Sequence, residues 1–192
     1  MIVVCFGRPG AGKTTILNKA LELFEFENRI VNSVDLDVCI PQAMKDNFAK
    51  GIYPTLEQRE IFAHTACDYV QEKRNCYDES TPIIISFSFV NTDLRTIFMS
   101  RFPEATWVLI DVSERTAQSR IDSRLGHFYK GNLKSPIAQD DHPKRITKDN
   151  AEWEFAPVDF DHISLDGLKP IEENARHLAN VVINAKGSWI QP

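Results

Sequence analysis

Three groups of residues have types and spacings suited to phosphoryl chemistry. The first is Gly7-Arg8-Pro9-Gly10-Ala11-Gly12-Lys13-Thr14-Thr15, which satisfies the pattern G-x-x-x-x-G-K-[ST] in full. Glycines let backbone N–H groups converge on phosphate oxygens, and a helix starting behind them points its positive end at the same place. In that arrangement Lys13 reaches the β- and γ-phosphates of a nucleoside triphosphate, with ATP the expected one, and the Thr14 hydroxyl holds Mg2+. The second group is Asp35 and Asp37. In an extended segment, side chains at i and i+2 share a face, so one could bind Mg2+ or its water while the other accepts a proton from a hydroxyl. The third is Arg120 and Arg124, four apart on one predicted helix. Like charges at that spacing repel by roughly 0.2–0.5 kcal/mol, which is reasonable around an anion such as a transferring phosphoryl group. A solvated helix face beside Glu114 and Asp122 is the alternative. Arg8, Arg59 and Arg95 are further cationic candidates.

These groups need elements to hold them. Apolar runs at 2–6, 30–34, 83–89, 106–112 and 163–165 read as strands. Between them, apolar residues at helical spacing predict helices over 13–24, 41–50, 56–74, 114–125 and 171–185, with another marked by Leu94, Ile97, Phe98 and Phe102. Ile61, Phe62, Ala66, Tyr69 and Val70 are the predicted inward face of the third helix, and Ile171, Ala175, Leu178, Ala179 and Val182 that of the last. Ser113 or Asp111 could cap the helix at 114. Strand and helix in alternation predict an α/β fold of the P-loop NTPase type, a three-layer α/β/α sandwich around a parallel sheet of about five strands. A single domain over 1–192 is expected, with an acceptor-binding insertion at about 37–60 and a lid at about 120–156, both over the carboxyl ends of the strands, where open α/β sheets bind ligands.

The totals limit the function classes. The net charge is −5, hydrophobic residues make up 43% and charged residues 26%, and no dense Lys/Arg tract exists, so nucleic acid is not an expected partner. The longest apolar stretch, 83–90, contains two serines and is too short to cross a bilayer. Residues 2–6 lead into the glycines and do not read as a targeting peptide. Cys5, Cys39, Cys67 and Cys76 form no metal-like spacing and read as reduced thiols. The expected location is the cytoplasm, away from membranes. No N-K-x-D guanine-reading motif follows a strand, and the run at 83–89 ends in Ser86-Phe87-Ser88, without the acidic residue that ATPase machines place there.

The stretch SRIDSRLGHFYKGNLKSPI at 119–137 resembles the lid of bacterial gluconate kinases, in which a helix with two arginines is followed by Gly-His-Phe and a lysine. The phosphate loop fits that family, and Asp35-Leu36-Asp37 resembles its Asp-Gly-Asp element. The run from Pro41 through Gly51 to Arg59 resembles its next segment, and 165–170 falls where it places an adenine-contacting loop. Shikimate kinases share the fold and the paired aspartates. The resemblance implies that Lys13 and Thr14 hold phosphates and Mg2+, that Asp35 supports the metal, and that Asp37 orients or deprotonates the acceptor hydroxyl. It implies that Arg120 and Arg124 close on ATP, that Asp166, Lys169 and Pro170 meet the adenine, and that Asp37, Arg59, Arg95 and His127 line the acceptor pocket. Phe128 reads as packing; His127 is open between an acceptor contact and a structural histidine. Leu36 stands where the family has glycine, Ile40 where it has histidine, and Phe87-Ser88-Phe89-Val90-Asn91 where it has a segment ending in lysine. The implied activity is an ATP-dependent kinase for a hydroxyl of a sugar acid, sugar or polyol, and the implied assembly a homodimer. A nucleoside or nucleotide kinase and a nucleotide-binding regulatory module without turnover are the alternatives.

Overall fold

The computed structural model describes residues 1–50, 52–123 and 155–187. Five strands, β1 (Ile2–Phe6), β2 (Asn32–Asp35), β3 (Ile83–Phe87), β4 (Thr106–Asp111) and β5 (Ile163–Asp166), form one parallel sheet in the order β2-β3-β1-β4-β5. Every side chain of β1 is buried, as a central strand covered on both faces requires. Two apolar cores lie on opposite sides of the sheet. One packs Val3, Cys5 and Ile84 against α1 (Lys13–Phe26) and the terminal helix α6 (Ile171–Gly187). The other packs Ile2, Val4, Phe6 and Ile85 against α2 (Gln42–Ala49), α3 (Leu56–Asn75) and α4 (Thr92–Arg101). The α/β/α sandwich with a parallel sheet is therefore as expected.

Chain direction explains where the site must lie. After β1 the chain crosses to β2 on one side of the sheet; after β3 it crosses over β1 to β4 on the other. Right-handed crossovers then put the helices after β1 and β3 on opposite faces and open a crevice at the carboxyl ends of those two neighbours. In register, Asp35 pairs with Ser86 and Ser86 with Cys5, so the ends of β2, β3 and β1 stand level beneath that crevice.

Local signals set the element ends. Thr55 and Gln58 form a reciprocal capping box on α3. Of the two candidate caps for α5 (Glu114–Asp122), Ser113 is used, its hydroxyl accepting from the Thr116 N–H at 3.2 Å. β2 begins at Asn32 instead of residue 30: Asn28 takes φ 54 to reverse the chain after α1, and Ile30 is left 80% exposed. Ile61 and Ile171 face outward, not inward. The inner stripe of α3 is Phe62, Ala63, Ala66, Cys67 and Val70, one position on from Ile61, and that of α6 starts at Asn174 and Ala175. β3 stops at Phe87, short of the predicted residue 89, because Phe89 takes φ 44 and turns the chain off the sheet. Among the described residues no helix is long and apolar enough to cross a membrane.

Candidate active site

The loop of residues 7–12 joins β1 to α1. Gly12 caps the helix at φ 98, and Gly10 sits at φ 86 with its α-carbon against α5, where a β-carbon would stand 2.4 Å from the Ala117 carbonyl oxygen. The Ala11 N–H donates to the Arg8 carbonyl at 3.0 Å, closing the turn. Lys13 is the first residue of α1 and is buried; its Nζ donates to the carbonyls of Gly7 (3.1 Å) and Arg8 (3.0 Å) and to Ser88 Oγ (3.2 Å). The ammonium therefore spans the mouth of the crevice from β1 to the end of β3. Arg8 turns its guanidinium away, over the Phe155 ring at 5.3 Å.

Asp35 ends β2 and connects two parts of the site. Its Oδ2 accepts from the Thr14 hydroxyl at 3.3 Å, and its Oδ1 accepts from the Asp37 N–H at 3.0 Å. The expectation of an extended Asp35–Asp37 pair is corrected here: residues Leu36–Cys39 form a 3-10 turn that Asp35 caps, because Leu36 is drawn fully into the core. Both carboxylates still line the same cleft, together with Gly10, Gly12, Lys13 and Thr15. Among the described residues no group of three or more His, Cys, Asp or Glu side chains could hold a metal. One carboxylate and one hydroxyl at a phosphate loop instead fit Mg2+, which keeps several waters and takes its remaining ligands from phosphate oxygens.

The arginines separate. Arg59 lies in the cleft wall, buried, with Nε on Asp93 Oδ2 at 2.8 Å and Nη1 on the Pro54 carbonyl at 2.9 Å. Arg95 is 1% exposed and is not among the described residues that line this cleft, so its placement among acceptor-pocket residues is corrected. Its guanidinium donates to the carbonyls of Phe89 (2.8 Å), Val90 (3.3 Å), Ala156 (2.9 Å) and Pro157 (2.7 Å) and lies over the Phe155 ring at 4.7 Å. That cage holds the positive-φ turn at Phe89 and thereby fixes where Ser88 and Val90 stand. Arg120 bridges two loops: Nη1 donates to the Ala11 carbonyl (3.0 Å) and Nη2 to the Gly167 carbonyl (2.9 Å). It thus ties the phosphate loop to the 166–170 turn, in which Asp166 Oδ1 accepts from Leu168 N–H and Lys169 pairs with Glu173 at 2.5 Å. Asp166, Lys169 and Pro170 are exposed. Arg124, His127 and Phe128, and most of the expected lid, lie outside the described residues.

Several site residues were not picked out by their sequence context. Ser88 meets Lys13 only because the chain leaves β3 at Phe87, a turn that the continuous apolar run to residue 89 does not signal. Asp93, the partner of Arg59, is 34 positions away in the chain. Tyr53 and Asn91 are buried and hydrogen-bonded to each other from either side of α3. Much of the remaining wall is apolar, formed by Ile40, Met44, Phe48, Phe62, Phe87 and Leu94, with Tyr53, Ser86 and Ser88 as its neutral polar side chains.

No protein-family model and no curated protein matches the sequence. Solved structures do match in fold. A sugar kinase from Janibacter sp. HTCC2649 is similar at TM-score 0.70 and 19% identity, over 96% of this chain and 94% of that one. A gluconokinase from Sinorhizobium meliloti 1021 is similar at 0.62 and 17%, over 97% and 96%. The Mycobacterium tuberculosis APS kinase, solved with AMPPNP and APS, is similar at 0.64 and 12%, over 95% and 96%. The fold of this chain is shared with these kinases and with a shikimate kinase from Aquifex aeolicus.

Proposed function

We propose that the protein is an ATP-dependent small-molecule kinase that transfers the γ-phosphoryl group to a hydroxyl. The observation that carries this reading is the joining of two parts in one cleft: a phosphate loop with its lysine held across the mouth, and the Asp35–Asp37 pair beside it. In this reading Lys13 exchanges the loop carbonyls for the β- and γ-phosphates, and the loop N–H groups hold the phosphate oxygens. Thr14 and Asp35 would hold Mg2+, whose contribution is to neutralise phosphate charge. The acceptor oxygen attacks the γ-phosphorus as the bond to the β–γ bridging oxygen breaks. The hydroxyl proton passes to the Asp37 carboxylate, and ADP leaves. A positioned base of this kind contributes on the order of 10^2–10^4 in rate. Arg120 and the 166–170 turn form the nucleotide side of the site, Arg120 acting on it through Ala11 and Gly167.

The kinase folds it resembles, and the APS kinase structure with AMPPNP, support ATP as donor. The test is ADP release from Mg·ATP in the presence of a panel of hydroxyl acceptors, with Lys13→Ala as control. Acceptor-dependent ADP release that disappears in Lys13→Ala is expected. ATP binding without ADP release for any acceptor would favour a nucleotide-binding regulatory module instead.

A further inference from the structure

Resting on that kinase reading, we propose that the acceptor is a neutral alcohol whose hydroxyl stands beside a flat unsaturated ring, the chemistry of a nucleoside, and is not a sugar acid or polyol. The cleft has two chemically different ends. Beyond Asp37 its wall is built by α2, α3 and the β3–α4 turn, and presents the side chains of Ile40, Met44, Phe48, Phe62, Phe87 and Leu94. Phe62 and Phe87 form a corner, ring centres 5.1 Å apart and planes tilted by 41°. Phe48 and Phe87 are half-buried and packed against the core from the cleft side, so their remaining area faces the acceptor. Aromatic faces and a methionine thioether stack well on a planar ring. A polyol placed against that face would give up water at the hydroxyls turned to it without replacement hydrogen bonds, since the neutral polar groups Tyr53, Ser86 and Ser88 stand elsewhere on the lining, an unfavourable exchange.

Charge among the described residues weighs against the sugar acid. Among the described residues, the cations on the cleft wall are Lys13, assigned to phosphate, and Arg59. Arg59 is already neutralised by Asp93 at 2.8 Å and bound to the Pro54 carbonyl, with its guanidinium over the Tyr53 ring at 5.3 Å. A carboxylate would have to displace Asp93 from a side chain that is only 3% exposed, while facing Asp35 and Asp37 across the cleft. A neutral ring meets neither cost, and leaves its hydroxyl free to reach Asp37.

The test uses the full-length protein saturated with Mg·AMPPNP, whose binding is first checked by calorimetry, so that only the acceptor end is open. Thymidine, uridine and pyridoxine are compared with gluconate, glucose and ribitol, by NMR saturation transfer to the ligand and by ADP release when Mg·ATP replaces AMPPNP. The expected result is saturation strongest at the ring protons of at least one ring-bearing alcohol, with kcat/KM about tenfold or more above every sugar compound. Whether the nucleosides or pyridoxine lead identifies the source of the ring. Phe48→Ser is expected to raise the acceptor KM by about tenfold and leave the ATP Kd unchanged. Gluconate or ribitol turned over more efficiently than any ring-bearing alcohol would overturn the proposal and leave the kinase reading intact. Absence of saturation transfer from every ring-bearing alcohol at millimolar concentration would also overturn it. Failure of AMPPNP to bind would remove the kinase reading, and the acceptor assignment with it.

Discussion

Gly10 and Gly12 offer a comparison in which the structure separates two costs that usually occur together. Both have positive φ, 86 and 98, so alanine at either site adopts a disfavoured backbone region at a cost of roughly 1–2 kcal/mol. Their surroundings differ. At Gly12 the nearest atom to an added β-carbon is Arg120 Nη1 at 3.8 Å, an ordinary contact. At Gly10 it is the Ala117 carbonyl oxygen at 2.4 Å, with Ala117 C at 3.0 Å and Ile121 Cγ1 at 3.1 Å. A carbon and an oxygen sit comfortably about 3.3 Å apart, so the loop and α5 must separate by about 0.9 Å. Overpacking of that kind costs about 1–3 kcal/mol. Gly10→Ala should therefore lose about 2–5 kcal/mol and Gly12→Ala only the backbone share. For a chain of this length, 1 kcal/mol moves Tm by about 2–4 °C, so Gly10→Ala is expected to drop by about 4–20 °C and Gly12→Ala by about 2–8 °C, with Gly10→Ala the larger of the two. Urea unfolding and thermal melts of both variants, without nucleotide, read the difference directly. Equal losses, or a larger loss in Gly12→Ala, would show that the loop is not packed against α5 in this way.

Asp37→Asn should lower kcat by on the order of 100-fold or more while ATP affinity changes little; near-normal turnover would remove Asp37 as the base. Arg120→Lys should behave like Arg120→Ala, because a lysine cannot bridge Ala11 and Gly167 together, and both should weaken ATP binding in calorimetry. Arg95→Met should destabilise by on the order of 4 kcal/mol through the four carbonyls it strands, and an unchanged urea midpoint would contradict the cage. Burial pushes the Cys5 thiol up to about 12 and the Cys67 thiol up to about 11, from 9.0. These thiols lie above their unfolded value, so their contribution is intact below pH 9 and is lost as pH rises towards the folded values, by up to about 1.4 kcal/mol per pH unit each. Urea midpoints from pH 8 to 11 should fall less steeply in Cys5→Ala than in wild type.

The parts of this protein that depend on neighbours in sequence were legible in advance. The phosphate loop is contiguous, its glycines and lysine act within a few residues, and strand–loop–helix around it follows from local periodicity. The five parallel strands follow from the same alternation, since a buried strand is a continuous apolar run and each crossover needs a helix. The aspartate pair was recognisable by type, but its geometry was not. An i, i+2 spacing says the side chains share a face only if the chain is extended, and the burial of Leu36 wound it into a turn instead. What only the tertiary structure decided is which cations remain for chemistry. Arg59 and Arg95 look alike in sequence, but one is neutralised by Asp93 and the other is caged by four carbonyls, partners that lie from 5 to 62 positions away. An arginine's role depends on the acceptors that folding brings to it, and those are set by the sheet order and the turn at Phe89, not by the residues beside it. The apolar wall of the cleft has the same origin: Phe62 reads as a helix-face residue and Phe87 as part of a buried strand, and only the fold brings them together with Ile40 and Phe48 on one side of the crevice.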